Sequence, residues 1–310
     1  MNEYSSVANY KNERPSVVTI GTFDGVHVGH KAILKRLIAT AKKENLDSVL
    51  LTFFPHPRMV LQKDSGIKLI NTIDERKELL EQTGLDHLIV HSFTKAFSRL
   101  TALEFVRDIL VNRLHIKKIV IGYDHRFGRN RNADIEDLRE FGKTYGFEVE
   151  EISAQELDDV AVSSTKIRKA LSHGDIETAS NYLGYPFMLS GSVEKGKAIG
   201  RTIQYPTANL KIEEKYKLIP KNGVYIVKTL INDMPFFGCT SIGTNPTVGG
   251  TQKTIETFFL DFSGDLYGQN LRLYFITHIR DEVTFDSLED LKNAIENDEN
   301  FARAFLKNHE

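Results

Sequence analysis

The run from Val17 to Ile38, VVTIGTFDGVHVGHKAILKRLI, constrains the fold more than any other stretch of the chain. Four apolar or β-branched residues, Val17 to Ile20, enter a turn punctuated by glycine and holding Asp24, His27 and His30. An amphipathic pattern begins at once, with Ile33, Leu34, Leu37, Ile38 and Ala41 on one stripe. The order is strand, loop, helix. At the carboxyl end of a strand in an open α/β sheet, backbone N–H groups and the positive end of a helix converge on whatever anion binds there, so the loop reads as a nucleotide-phosphate site.

The same pattern recurs along the first half of the chain. Ser48 to Phe54, His87 to His91, Lys117 to Gly122 and Phe147 to Ile152 are short apolar runs of the kind that suit strands buried on both faces of a parallel sheet. Helical patterns separate them at Asp74 to Thr83, stopped by Gly84, and at Thr101 to Leu114, where Thr101 and Glu104 form a capping box. The alternation predicts βαβ units and a doubly wound sheet, with the working site outside the strand carboxyl ends.

Those ends carry unusual residues. Phe54 leads into Pro55-His56-Pro57-Arg58, a stiff loop holding an imidazole and a guanidinium. Gly122 leads into a loop from Tyr123 to Arg131 that is dense in donors and aromatics, Asp124 among them. Val162 leads into Ser163-Ser164-Thr165-Lys166-Ile167-Arg168, hydroxyls at a helix start with cations one turn later. Any one of these is commonly a solvated polar loop; four together point to phosphate. In the first loop Gly21, Gly25 and Gly29 match neither the dinucleotide fingerprint nor the P-loop, and the specific feature is His27-Val28-Gly29-His30 at a helix start. Nucleotidyl transfer needs positioning and stabilisation of charge on phosphate oxygens, which two imidazoles, a helix N-terminus, Arg168 and a metal can supply. The plainer alternative, both histidines as caps or core members, gives no reason for the surrounding glycines.

The period changes near Gly184-Tyr185-Pro186, after a last small helix at Asp175 to Leu183, and the boundary between two domains, 1–184 and 185–310, is placed there. At 310 residues, two domains of about 100 to 200 residues each are expected. Strands are predicted at Phe187 to Glu194, Gly223 to Leu230, Phe236 to Ile242, Thr254 to Phe262 and Leu271 to Ile279, with turns at Asn232 to Pro235 and Ser263 to Asp265. Short antiparallel strands favour a small closed barrel. A helix from Ser287 to His309 closes the chain, with Leu288, Leu291 and Ile295 inward and Phe301 and Phe305 extending the stripe. In the fourth strand, alternation puts Glu256 on the face of Phe258, Leu260 and Phe262, where a carboxylate is costly to bury without a partner. It reads either as an edge or barrel-mouth charge or as a general base. The loop from Gly196 to Asn209, with Lys197, Gly200 and Arg201, could wrap a polyphosphate without being a Walker loop. Thr207 and Asn209, two apart, could present oxygens to Mg²⁺ beside substrate phosphates.

Bulk properties exclude other classes. A net charge of −2 and a pI near 6.6 give no general attraction for nucleic acid. No apolar run approaches the roughly 20 residues that span a bilayer, so no membrane role is expected. One cysteine, Cys239, and no signal-like N-terminus suggest the cytoplasm. The oligomeric state stays open.

Taken in order, GTFDGVHVGH, TFFPHPR, GYDHRFG, SSTKIR, GRTIQYPTANL and IETFFLDFSGDLYG resemble the prokaryotic bifunctional riboflavin kinase/FMN adenylyltransferases, or FAD synthetases, over nearly the whole chain. The resemblance implies two reactions: riboflavin and ATP give FMN and ADP, and FMN and ATP give FAD and pyrophosphate. It implies that the amino-terminal half is the adenylyltransferase. There His27 and His30 meet the ATP phosphates, Asp124 lies in the flavin/nucleotide loop, and Ser164, Thr165 and Arg168 form a second phosphate loop. Gly21, Phe23, Asp24, Gly29 and His56 complete the expected nucleotide site. In the carboxyl half it implies a kinase barrel with Gly196, Lys197, Gly200 and Arg201 around the nucleotide, Thr207 and Asn209 on Mg²⁺-ATP, and Glu256 as base toward the ribityl 5′-hydroxyl. Phe54, His125, Lys166 and Gln204 depart from the residues common at those positions. The rival readings are an adenylyltransferase with a flavin-binding but kinase-inactive barrel, and a flavin-binding regulator or nucleic-acid module, for which no aromatic-and-basic strand face is evident.

Overall fold

The computed structural model describes residues 1–62, 66–123, 125–153, 162–196, 204–247 and 250–309. The chain divides into two compact units, Met1–Ser164 and Thr165–Glu310. The change of hydrophobic period at 184/185 falls inside the second unit, after two helices.

The first unit is a six-stranded parallel sheet in the order β1-β4-β3-β2-β5-β6, comprising Asn2–Tyr4, Ser16–Ile20, Asp47–Phe53, His87–His91, Ile116–Gly122 and Glu148–Ile152 numbered in chain order. Every residue of β2 and β3 is buried, which accounts for their unbroken apolar runs. Successive residues serve opposite faces. Val17, Leu50 and Leu88 pack with Leu34, Leu37 and Ala41 of α1 (Val28–Glu44), and with Leu80 of α3 (Ile73–Glu81), α2 being the short helix Pro57–Leu61. Val18, Val49 and Ile119 face Phe105, Val106 and Leu110, and Leu138 of α5 (Ile135–Tyr145). The predicted capping box holds: Glu104 N–H donates to the Thr101 hydroxyl, opening α4 (Ala102–Glu104), which passes directly into a π-helical segment, Phe105–Val111. Chain order reverses between β2 and β5, and the crevice at their carboxyl ends is the ligand position of doubly wound sheets.

β1, α2 and α5 are not among the predicted elements. β1 is three polar residues whose partner is the backbone of β4. α2 is a single short helix. α5 carries its signals in the sequence, an Asp134/Asp137 capping box, Ile135, Leu138, Phe141 and Tyr145 on one face and a left-handed Gly146 at its end.

The second unit opens with α6 (Ser164–His173) and α7 (Ile176–Leu183) and continues as a closed six-stranded barrel ordered β10-β11-β8-β7-β12-β9. The strands are β7 Met188–Glu194, β8 Ala208–Lys211, β9 Gly223–Ile231, β10 Met234–Thr247, β11 Gly250–Phe259 and β12 Asn270–Asp281. β8, which the spacing assigns to a phosphate loop, is the strand that closes the barrel. Closure needs close backbone approach: a Cβ on Gly191 would lie 2.2 Å from the Lys211 carbonyl oxygen. Two register shifts bend β12 around the wall.

The spacing predicts a strand through Phe262, but β11 ends at Phe259, and Asp261 takes a left-handed φ of 55°. Ile255, Thr257 and Phe259 are buried, with the Thr257 hydroxyl 2.8 Å from that of Thr240. Glu256 and Phe258 lie on the other face, and Phe258 packs there with Leu260, Val224, Ile226, Cys239 and α8 (Leu288–Lys307). The expected inward stripe of α8 needs correcting too. Leu288 and Phe301 are exposed, whereas Asp298 and Ala302 are buried. Asp298 shares a face with Leu291, Ile295, Ala302 and Phe305, and Arg280 of β12 donates from Nε and Nη2 to its two oxygens at 2.8 and 2.7 Å, which satisfies a carboxylate buried within that stripe.

Burial of Asp298 makes that pair costly to break from one side. Arg280→Met should lower the stability of the barrel by about 3 kcal/mol, measured by urea unfolding, and Asp298→Leu added to it should recover much of the loss.

Candidate active sites

The first centre sits at the carboxyl end of β2. His27 caps α1, and its Nδ1 accepts the backbone N–H of His30 at 3.3 Å. A neutral His27 therefore carries its proton on Nε2. The His27 and His30 rings stack with centroids 3.6 Å apart, and Phe23 stacks on the far side of His30 at 4.5 Å. Glycine makes the stack possible: a Cβ on Gly29 would meet the His27 ring at 3.3 Å, and one on Gly21 would lie 2.9 Å from the Phe23 ring. The first turn of α1 holds no acidic residue, so its positive end is not neutralised from within the helix.

His30 Nδ1 is buried with no hydrogen-bond partner among the described residues. Burial first, then the charges of His27 and Arg76, hold His30 well below the ordinary histidine range, so the ring is neutral. Asp24 is fully buried, and its carboxylate accepts the N–H groups of Ile70 and Asn71 at 3.0 and 3.4 Å. Arg76 Nη2 lies 3.7 Å from the same oxygen, and Nη1 donates to the Thr22 carbonyl at 2.9 Å. Asp24 thus fastens the loop from beneath, and Phe23 is likewise buried. Ser164 joins them, its hydroxyl donating to the Asp24 carbonyl at 2.8 Å. His56 caps α2, with Nδ1 accepting the N–H of Arg58. Thr165 and Arg168 belong to α6, in the second unit. Asp124 lies outside the described residues.

Arg76 is the residue that the sequence spacing passes over. A signal exists: Ile73, Arg76 and Leu80 share one helix face, and a cation on an apolar stripe needs a buried partner.

The second centre is on the barrel. Thr207 donates its hydroxyl to Glu256 Oε2 at 3.2 Å, and Asn209 stands directly opposite Glu256 across the β8–β11 ladder. Asn209 also faces Glu194 of β7. The backbone at Gly196 lies against the Asn209 amide, where a Cβ would fall 2.3 Å from Nδ2. Tyr205 meets Phe258 edge to face at 4.9 Å. Three side chains with oxygen donors, Thr207, Asn209 and Glu256, therefore gather at one barrel edge. Lys197, Gly200 and Arg201 lie outside the described residues. Neutral hydroxyl and amide oxygens hold a hard cation only together with other oxygen donors, so the set suits a metal shared with a nucleotide's phosphates.

Two family models match the chain: FAD synthetase over residues 9–166 and riboflavin kinase over residues 183–306. The bifunctional riboflavin kinase/FMN adenylyltransferase of Escherichia coli K12 is 37% identical over 291 residues, covering 94% of this chain and 92% of that protein. That of Listeria monocytogenes is 37% identical over 292 residues, with the same coverage. That of Buchnera aphidicola from Acyrthosiphon pisum is 38% identical over 286 residues, covering 91% of each. The crystal structure of a macrolide-efflux protein from Streptococcus pneumoniae superposes with a TM-score of 0.88 at 32% identity, covering 97% of this chain and 98% of that one. Among the described residues, no helix is long and apolar enough to cross a membrane.

The state of His30 fixes a pH dependence. Unfolded, the ring takes a proton near pH 6.5; folded, it does so only well below that. Unfolding then takes up a proton, so stability falls as pH falls through 6.5 and is unaffected by this group above it. Thermal unfolding of the intact protein measured against pH should show the decline, and His30→Gln should make it shallower. Gly196 generates a second expectation: Gly196→Ala should displace the Asn209 amide and slow the barrel's reaction about tenfold or more in a phosphoryl-transfer assay.

Proposed function

The chain belongs to the bifunctional riboflavin kinase/FMN adenylyltransferase family, converting riboflavin to FMN and FMN to FAD with ATP, and we propose how its two centres divide that work. Residues 1–184 act as the adenylyltransferase domain and 185–310 as the riboflavin kinase domain. The supporting observation is that the centres carry opposite chemistry. One offers two stacked imidazoles at a helix N-terminus, that of His30 neutral; the other offers a carboxylate beside two neutral oxygens.

In the kinase centre, Glu256 takes the proton of the ribityl 5′-hydroxyl as its oxygen attacks the γ-phosphorus of ATP, and ADP leaves. Thr207 and Asn209 would hold Mg²⁺, which would draw charge off the transferring phosphoryl group. Gly196, Lys197, Gly200 and Arg201 line the nucleotide loop. In the other centre the nucleophile is a phosphate oxygen of FMN, already anionic, so no base is required. It attacks the α-phosphorus of ATP and pyrophosphate leaves. His27 and His30 donate to phosphate oxygens as charge builds there, and the N–H groups at the start of α1, including that of Gly29, receive the same charge. Gly21, Phe23 and Asp24 keep this loop in shape. His56, Asp124, Ser164, Thr165 and Arg168 are assigned to nucleotide and flavin binding, Arg168 as a cation for the reacting phosphates. The enzyme is placed in the cytoplasm, where the ATP for both steps is supplied, and nucleic acid and membrane are not among its partners. An adenylyltransferase with an inert barrel is not favoured: the riboflavin kinase match covers residues 183–306, and the Glu256–Thr207 pair is intact.

Mass spectrometry of products should show FMN and FAD from riboflavin, ATP and Mg²⁺, and FAD from FMN; formation of neither product from riboflavin would refute the assignment. Glu256→Gln should slow riboflavin phosphorylation by roughly 100-fold or more while FMN adenylylation proceeds normally.

A further inference from the structure

We propose that Arg76 is a positioning residue for adenylyl transfer to FMN, acting through the loop that carries His27 and His30. The inference rests on the assignment of adenylyl transfer to the first unit. The loop is held in a conformation that its own residues disfavour. Phe23 and Val26 take φ values of 48° and 37°, and a left-handed β-branched residue such as Val26 persists only where its surroundings enforce it.

Arg76 is one of those enforcing groups and the one placed to join two anchors. Its Nη1 donates to the Thr22 carbonyl at 2.9 Å, which also receives the Thr52 hydroxyl at 3.1 Å. Its Nη2 lies 3.7 Å from the Asp24 carboxylate, which the Ile70 and Asn71 amides grip from the segment leading into α3. The guanidinium therefore links the residues on either side of Phe23, whose ring is the floor of the imidazole stack. At 1% exposure Arg76 does not reach ATP or FMN, so its influence passes through the loop. Its charge also bears on His30, adding to the burial that keeps the ring neutral and able to share a stack with His27. A buried guanidinium is an expensive way to fill a helix stripe that an aliphatic residue would pack, and holding two loop groups at once gives it a reason.

The test uses the full-length enzyme, whose other reaction serves as an internal control. Arg76→Met should lower kcat for FMN adenylylation ~100-fold, the scale on which small displacements of reacting groups act, with a smaller change in KM for ATP. Riboflavin phosphorylation by the same sample should be unchanged, and Arg76→Lys, which keeps the charge and donors, should restore most of the lost rate. Arg76→Met takes the guanidinium away from buried Asp24, so the double variant Asp24→Asn/Arg76→Met removes both charges; it should melt close to the parent and remain as slow as Arg76→Met. Parental adenylylation in either folded variant would overturn the proposal. So would loss of helical circular dichroism in both, which would make the role structural. A parent enzyme that makes no FAD from FMN would instead overturn the assignment on which the proposal rests, before any variant is compared.

Discussion

Every residue of β2 is buried, and a strand with no solvent-facing side can lie only within a sheet covered on both faces. That requirement puts α1 on one face and the π-helical segment with α5 on the other, and it leaves the sheet's carboxyl edge as the place where chain can turn near solvent. With β2 and β5 as neighbours across the reversal of chain order, the loop after β2 borders the crevice. The positive end of α1 is brought there by the same strand–loop–helix continuity that buries the apolar stripe of the helix. Core packing and the proposed anion site are two consequences of one short segment.

Electrostatics distinguish the two centres. Around His27 and His30, burial and nearby positive charge keep the His30 imidazole uncharged, so the donors are hydrogen bonds and a helix end rather than a local cation. That arrangement favours charge that grows on phosphate oxygens during reaction. Glu256 is part-buried at a barrel edge, hydrogen-bonded by a neutral hydroxyl and facing a neutral amide across the ladder. The two units thus carry different kinds of group, as the proposed division of the family's two reactions requires.

The sheet, the barrel and most boundaries were legible because they arise from patterns repeated along the chain: apolar runs between helical stripes, then alternation between tight turns. Capping at Thr101 was readable from single residues. Elements decided by a distant partner were not. β1 is a strand because the β4 edge accepts it, β8 because β7 and β11 flank it, and Asp298 is buried in the stripe of α8 because Arg280 of β12 pairs with it.

The sequence by itself determined the order of elements and the chemical types placed at their ends, because periodicity and glycine placement act within a few residues. The tertiary structure decided which of those groups are buried and what they pair with. Asp24 is fully buried beneath the loop, and Arg76 reaches its carboxylate and the Thr22 carbonyl from a helix about 50 residues away. Burial and pairing across such separations depend on how the layers stack, which local patterns do not encode.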